Sequence, residues 1–283
     1  MKKIGLLYHP KVAATRKKAG ELVKFLKSQG AQVWLCSAWE KERACELLGD
    51  TDLLLTVGGD GTILRAVQSV IPGKTPVVGI NLGKLGFMTE LDADEAIEKL
   101  PRLLEGEGWL DERAMLQAEL TSPGKEPQIF HALNDAVVAR GEVVRLIRVE
   151  VGIDDQPLTT YKTDALVMAT ATGSTGYALA ARGPILYPQS RDFLLVPVAP
   201  HLSLSHPLVL PEKSVVTLRV DTYHAAVLSI DGYINLPLSS RDAVTVKRSR
   251  HVTRFLRLRP RESFYNRLED KLRGKQGEQG RKG

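Results

Sequence analysis

The 283-residue chain carries 39 Lys and Arg against 33 Asp and Glu, a formal net charge of +6. At this length about three quarters of the open chain's surface is buried on folding, so no external staple is needed. Its two cysteines, Cys36 and Cys45, match no metal-binding or C-x-x-C spacing, no N-x-[ST] sequon occurs, and no apolar run reaches the roughly 18 residues of a membrane span. These features exclude a disulfide scaffold and a helical membrane protein, and make the cytoplasm the expected location.

The first stretch, MKKIGLLYHP, has too short an apolar run for a signal-peptide core and reads as a strand over residues 4–8. Ala19, Leu22, Val23 and Leu26 then recur at helical spacing until Gly30, and strands follow at 32–36 and 53–57 with a short helix at 41–48 between them. The run Leu53-Leu54-Leu55-Thr56-Val57 is that of a buried parallel strand, and it stops at Gly58-Gly59-Asp60-Gly61-Thr62. This displays Asp60 at the carboxyl end of a strand, where open α/β sheets bind ligands. Beyond it, Ile63, Leu64, Ala66, Val67 and Val70 form one face of a helix. The N–H groups that open such a helix are suited to phosphate, and Gly58, Gly59 and Gly61 let backbone approach it, with Thr62 at the helix start. The chemistry suggested is a carboxylate facing a phosphate cradle, although a tight turn alone uses the same residue types.

A further strand over 76–81 leads into the glycine-rich loop 81–87, and a helix over 93–104 contains Pro101, a weak point. Strand and helix alternate throughout residues 1–107, which predicts a parallel sheet with flanking helices. Neither G-x-G-x-x-G nor a Walker G-x-x-x-x-G-K-[ST] is present, so phosphate chemistry falls to residues 58–62.

From Trp109 the chain becomes β-rich, with short segments at 115–120, 143–151, 165–169, 193–196, 215–220, 226–230 and 243–246, and residues 108–255 are expected to form a sandwich-like domain. Two polar islands stand out in it. In residues 131–138, Asn134 and Asp135 lie side by side within an apolar run, where they either cap a turn or hold ligand hydroxyls. Residues 169–180 gather four hydroxyl side chains, Gly173 and Gly176 into a loop, Ala-Thr-Ala-Thr-Gly-Ser-Thr-Gly-Tyr-Ala-Leu-Ala, that can line a nucleotide pocket. His201 and His206, in a Pro-rich turn without a second ligand nearby in sequence, read as structural. Residues 274–283 read as a solvated basic tail, and without aromatic interleaving nucleic acid is not an expected partner.

Taken together, VGGDGTILRA (57–66), GINLGKLGF (79–87), LNDAVV (133–138), TDALVMATATGSTGYALAARGPIL (163–186), PVAPHLSLSHPLVL (197–210) and SIDGYINLPL (229–238) resemble the NAD kinases in content and order. The GGDGT element by itself is shared with lipid kinases and phosphofructokinases. The resemblance implies transfer of the terminal phosphoryl group of ATP, or of polyphosphate, to the 2′-hydroxyl of the adenosine ribose of NAD. It makes Asp60 the general base, gives Gly58, Gly59, Gly61 and Thr62 to the donor phosphates, and implies Mg²⁺ held mainly through those phosphates. It assigns to NAD contacts Asp60, Gly61, Asn134, Asp135 and the run Thr175, Gly176, Tyr177, Ala178, Leu179 and Ala180. Asp164, Arg145 and Lys162 fall on the family's nicotinamide and basic positions, and Ala199 is at most a packing contact. Residues 256–273 resemble a closing segment that returns to the first domain, and a homodimer or homotetramer with NAD near a subunit boundary is implied. Ala171 and Gly176 replace a usual proline and alanine, and Tyr233 replaces a usual glutamine beside Asp231. A lipid or small-alcohol kinase sharing the Asp60 loop, and a non-catalytic NAD(H) sensor, are the rival functions.

Overall fold

The computed structural model describes residues 1–83, 86–141, 145–201, 204–221, 224–262, 264, 265 and 268. Contacts divide the chain into one unit of residues 1–111 together with the chain from Arg254 onward, and a second unit, Glu112–Thr253. Among the described residues no helix is long and apolar enough to cross a membrane.

In the first unit the order is β1 (Lys3–Tyr8), α1 (Ala13–Ser28), β2 (Gln32–Ser37), α2 (Lys41–Leu48), β3 (Leu53–Val57), α3 (Asp60–Val70), β4 (Val77–Asn81), β5 (Leu91–Asp92) and α4 (Ala93–Leu104). The strands pair in parallel as β5-β4-β3-β1-β2. Every residue of β3 and β4 is buried, as expected of strands covered on both faces. Ile4, Leu6, Leu53, Leu55, Val78 and Ile80 of the sheet meet Leu22 and Leu26 of α1 and Leu100 and Leu103 of α4 in one apolar cluster. Helix α1 starts at Ala13, well before Ala19, and in its first turn buried Thr15 turns its hydroxyl onto the carbonyls of His9 and Val12, both at 2.6 Å. Helix α4 opens with a capping box between Asp92 and Glu95 and retains Pro101 within it, close to its C-terminal end.

The second unit contains β6 (Trp109–Thr121, which begins in the first unit), β7 (Gln128–Ala132), β8 (Asp135–Arg140), β9 (Ile147–Ile153), β10 (Gln156–Thr163), β11 (Ala165–Ala169), a single 3₁₀ turn (Gly173–Thr175), α5 (Tyr177–Ala180), β12 (Phe193–Val198), β13 (Leu208–Leu210), β14 (Val215–Asp221), β15 (Ala226–Ile230), β16 (Ile234–Leu238) and β17 (Ala243–Arg257). One antiparallel sheet runs β13-β12-β11-β8-β15-β16. A second has the order β10-β9-β14-β17, with β6 beside β17 and β7 beside β6. Val138, Leu166, Phe193 and Leu228 of the first sheet share a core with Val149, Tyr161, Val216 and Val244 of the second, which is the two-layer packing expected of a sandwich. Strand β17 is long enough to serve both units: residues up to Thr253 belong to the second and those from Arg254 to the first, where Phe255 pairs with Val77. Residues 143–144 of one predicted strand, the predicted basic tail and most of the predicted closing segment lie outside the described residues.

Candidate active site

In the first unit the chain leaves β3 through Gly58 and Gly59 and enters α3 at Asp60. The loop that follows the neighbouring strand β4 comes to the same edge of the sheet. There the half-buried Asp60 carboxylate accepts the backbone N–H of Phe87 at one oxygen (2.8 Å) and that of Met88 at the other (3.1 Å). Each oxygen keeps further lone-pair capacity, so the carboxylate is fixed in place yet still able to accept a hydroxyl. Gly86 makes the approach possible, because a Cβ there would collide with the Asp60 carboxylate. Gly58 is required for a different reason: its φ is 154°, and a side chain would strike the hydroxyl of Thr62. The Thr62 hydroxyl is itself buried and has no hydrogen-bond partner among the described residues. At Gly59 and Gly61, by contrast, a side chain would meet nothing, so their backbone faces open space.

In the second unit, antiparallel pairing brings three loops to one edge of a sheet. Strand β8 lies between β11 and β15, with Asp135 opposite Ala169 and Ala136 opposite Ile230, so the start of β8 meets the ends of its two neighbours. The loop after β11 is tied to the residues before β8: Thr170 donates its N–H to the Asn134 carbonyl (2.9 Å) and its hydroxyl to the Leu133 carbonyl (2.6 Å). The Gly173 N–H then donates to the Thr170 hydroxyl at 3.0 Å. Only glycine fits at 173, because any Cβ would strike the Asn134 carbonyl. Gly176 lies over the Asn134 amide and the Asp135 carboxyl, which its Cβ would meet at 3.7 and 3.9 Å.

The third loop supplies Asp231. Asp231 and Gly232, with φ of 50° and 73°, form the tight turn between β15 and β16, and the buried Asp231 carboxylate accepts the N–H groups of Leu133 (3.0 Å), Asn134 (2.7 Å) and Asp135 (3.2 Å). Burial, and secondarily the charge of Asp231, push the Asp135 carboxyl up to about 7. Near neutrality Asp135 is therefore poised between accepting and donating a hydrogen bond. The Asn134 side-chain oxygen is buried without a partner among the described residues. An amide and a carboxyl poised between its two protonation states, beside a hydroxyl-rich loop, form a polar cluster able to offer both donors and acceptors.

Thr175, Gly176, Tyr177, Ala178, Leu179 and Ala180 stand at this edge, with Tyr177 exposed and Ala178 packed into the sheet. Asp164, Lys162, Arg145 and Ala199 do not join them. Ala165 opposite Val198, and Ile147 opposite Thr163, place these four at the other ends of β11 and of the β9–β10 ribbon. Asp164 is paired there with Arg140 at 3.0 Å, Arg145 and Lys162 are exposed, and Ala199 takes a φ of 47°. Sequence reading missed the amides of Phe87 and Met88, since a backbone donor leaves no mark on residue identity; the glycine at 86 was the available signal.

The fold is thus a two-unit nucleotide-handling enzyme whose first unit presents a carboxylate at a strand end and whose second gathers a polar cluster where three loops meet. Residues 4–108 match the family model of the ATP-NAD kinase N-terminal domain, and residues 133–258 match that of the ATP-NAD kinase C-terminal domain. The chain is 48% identical over 274 residues to an NAD kinase of Dehalococcoides mccartyi, covering 96% of each chain. It is 41% identical over 273 residues to an NAD kinase of Chloroflexus aurantiacus, covering 96% of this chain and 99% of that one. The structure is similar to that of yeast NADH kinase complexed with NADH, with a TM-score of 0.84 and 26% identity over 97% of this chain and 88% of the other. The chain belongs to the NAD kinase family and is a phosphotransferase of that class.

Proposed function

We propose that Asp60 is the general base that takes the proton from the 2′-hydroxyl of the adenosine ribose of NAD while the terminal phosphoryl group of ATP is transferred to that oxygen. The O–H bond breaks toward the Asp60 carboxylate, the ribose oxygen forms a bond to phosphorus, and the bond from that phosphorus to the bridging oxygen breaks, releasing ADP and NADP. The observation that carries this reading is the Asp60 carboxylate, held by the N–H groups of Phe87 and Met88 with lone pairs to spare. Gly58, Gly59, Gly61 and Thr62 are assigned to the donor phosphates; the open space beside Gly59 and Gly61 and the Thr62 hydroxyl, which has no partner among the described residues, support that.

Asn134, Asp135 and the run from Thr175 to Ala180 are assigned to NAD. The buried Asn134 oxygen, without a partner among the described residues, and the Asp135 carboxyl, poised near neutrality between accepting and donating, favour a ligand that offers both donors and acceptors, as adenosine does. Asp164 lies six residues before Thr170 along an extended strand, about 20 Å away. Asp164, Arg145 and Lys162 are accordingly assigned to the nicotinamide half bound near a subunit boundary, with Ala199 as a packing contact at most, in the homo-oligomer that the resemblance implies. Mg²⁺ is assigned to the donor's phosphate oxygens, where it would neutralise charge on the transferring group. A cytoplasmic location completes the reading. The test is NADP formation with ATP and with polyphosphate offered separately. Accumulation of NADP with ATP is expected, and ATP consumption only with a lipid or small-alcohol acceptor would overturn the reading.

A further inference from the structure

Behind the peptide that holds Asp60 lies a buried charge cluster that the proposed chemistry does not use. The Arg257 side chain is 5% exposed, and those of its partners Glu90 and Asp111 are 1% and 2% exposed. Its Nε donates to the Asp111 carboxylate at 3.2 Å, and its Nη1 faces both the Glu90 carboxylate at 3.3 Å and the Met88 carbonyl at 2.7 Å. The other Glu90 oxygen accepts the N–H groups of Leu258 (3.0 Å) and Arg259 (2.9 Å), which fixes it to the end of β17. All of these residues belong to the first unit.

The Met88 carbonyl is the point of interest, because the N–H of the same residue donates to Asp60. We infer that Arg257 is a positioning residue for Asp60, acting through Met88. Its guanidinium fixes the carbonyl side of Met88, which leaves the amide side aimed at the carboxylate, and Glu90 and Asp111 hold the guanidinium in turn. Packing alone gives a weak reason for this arrangement: one cation between two carboxylates in the interior is costly to desolvate, and apolar residues of similar volume commonly serve stability as well or better. Reach is the better reason. A single planar fork meets Asp111 through one nitrogen and Glu90 and Met88 through another, which a point-charge ammonium cannot reproduce.

The inference rests on the proposed role of Asp60, and its test separates the two. Arg257→Met would remove the cation between Glu90 and Asp111 and risks unfolding, so Arg257→Lys carries the experiment: it keeps the positive charge and gives up the fork. Steady-state NADP formation and NAD affinity are measured for wild type, Arg257→Lys, Asp60→Asn and the double variant, each shown to be folded by its melting curve. A misplacement on the order of 1 Å at a reacting group costs about a hundredfold, so kcat of Arg257→Lys is expected to fall by about ten- to a hundredfold, with KM for NAD and ATP within about twofold of wild type. In the Asp60→Asn background the same change is expected to cost nothing more, because what it positions is gone. An Arg257→Lys enzyme with wild-type kcat, or a loss that multiplies with that of Asp60→Asn, overturns the inference. Full turnover by Asp60→Asn alone overturns the role of Asp60 instead.

Discussion

Replacing Asp135 by asparagine removes a carboxyl that the fold pushes from 3.8 up to about 7 by burying it and by setting it beside Asp231. The sign of the consequence follows from proton binding. Between these two values the folded protein holds a proton on Asp135 that the unfolded chain has released, so this group contributes less stability as the pH rises, and its contribution levels off above about pH 7. A rise of that size makes the charged form about 4 kcal/mol costlier in the fold than in the open chain. About 2.5 kcal/mol of this falls between pH 5 and pH 8. The assay is urea unfolding followed by circular dichroism at several pH values, for wild type and Asp135→Asn side by side. Other titrating groups largely cancel in the difference. Wild type is expected to lose about 2.5 kcal/mol more than the variant across that interval. Curves that stay parallel from acid to base would refute the placement of Asp135 in a buried site facing Asp231.

Asp231→Asn removes the neighbouring charge, so the Asp135 titration, followed by carboxyl NMR, is expected to move to lower pH; an unmoved titration would mean that burial alone sets it. Gly86→Ala puts a methyl group against the Asp60 carboxylate without demanding an unusual backbone conformation, so the protein is expected to fold while kcat drops by about tenfold or more; wild-type turnover would show that the carboxylate need not stay where it is. Gly173→Ala drives a Cβ into the Asn134 carbonyl, and unlike a side chain this backbone cannot swing aside. A stability loss of about 1–3 kcal/mol and weaker NAD binding by calorimetry are expected, and unchanged binding would argue against the Asn134 loop as part of the NAD site.

The first unit was largely legible because its two central strands, β3 and β4, are apolar runs followed closely by glycine. The lines LLLTV and VVGIN announce burial on both faces, and the glycines after them announce the turn that presents Asp60. In the second unit, strands such as β9 and β14 alternate between core and solvent, and in the longer strands of that sheet this blurs the ends. Strand β6 buries only about every other residue and runs from Trp109 to Thr121, where the residues alone marked 115–120. Strand β17 continues to Arg257 through the polar stretch Lys247-Arg248-Ser249-Arg250, well beyond the predicted 243–246. Strand β10 carries Pro157 at an edge of its sheet and buries only Tyr161 and Thr163, so its sequence reads as a loop.

The same contrast holds for the site. Asn134, Asp135 and the hydroxyl-rich loop stand out as polar islands in apolar surroundings, and pairing of β8 with β11 brings them together. That Asp164, Lys162, Arg145 and Ala199 lie at the other strand ends depends on register, which the residues do not encode locally. Asp231 ties three amides from a position about a hundred residues further along the chain. Arg257 reaches Glu90 and Met88 across 167 and 169 positions, so nothing near it in sequence marks it as more than a basic residue in a closing strand.

The central claim concerns one distance. A crystal structure of the protein with NAD bound is expected to place the 2′-oxygen of the adenosine ribose about 2.6–3.2 Å from a carboxylate oxygen of Asp60, with the Phe87 and Met88 N–H groups still on that carboxylate. A ribose lying beyond hydrogen-bond reach of residue 60, with the carboxylate undisturbed, would contradict the account.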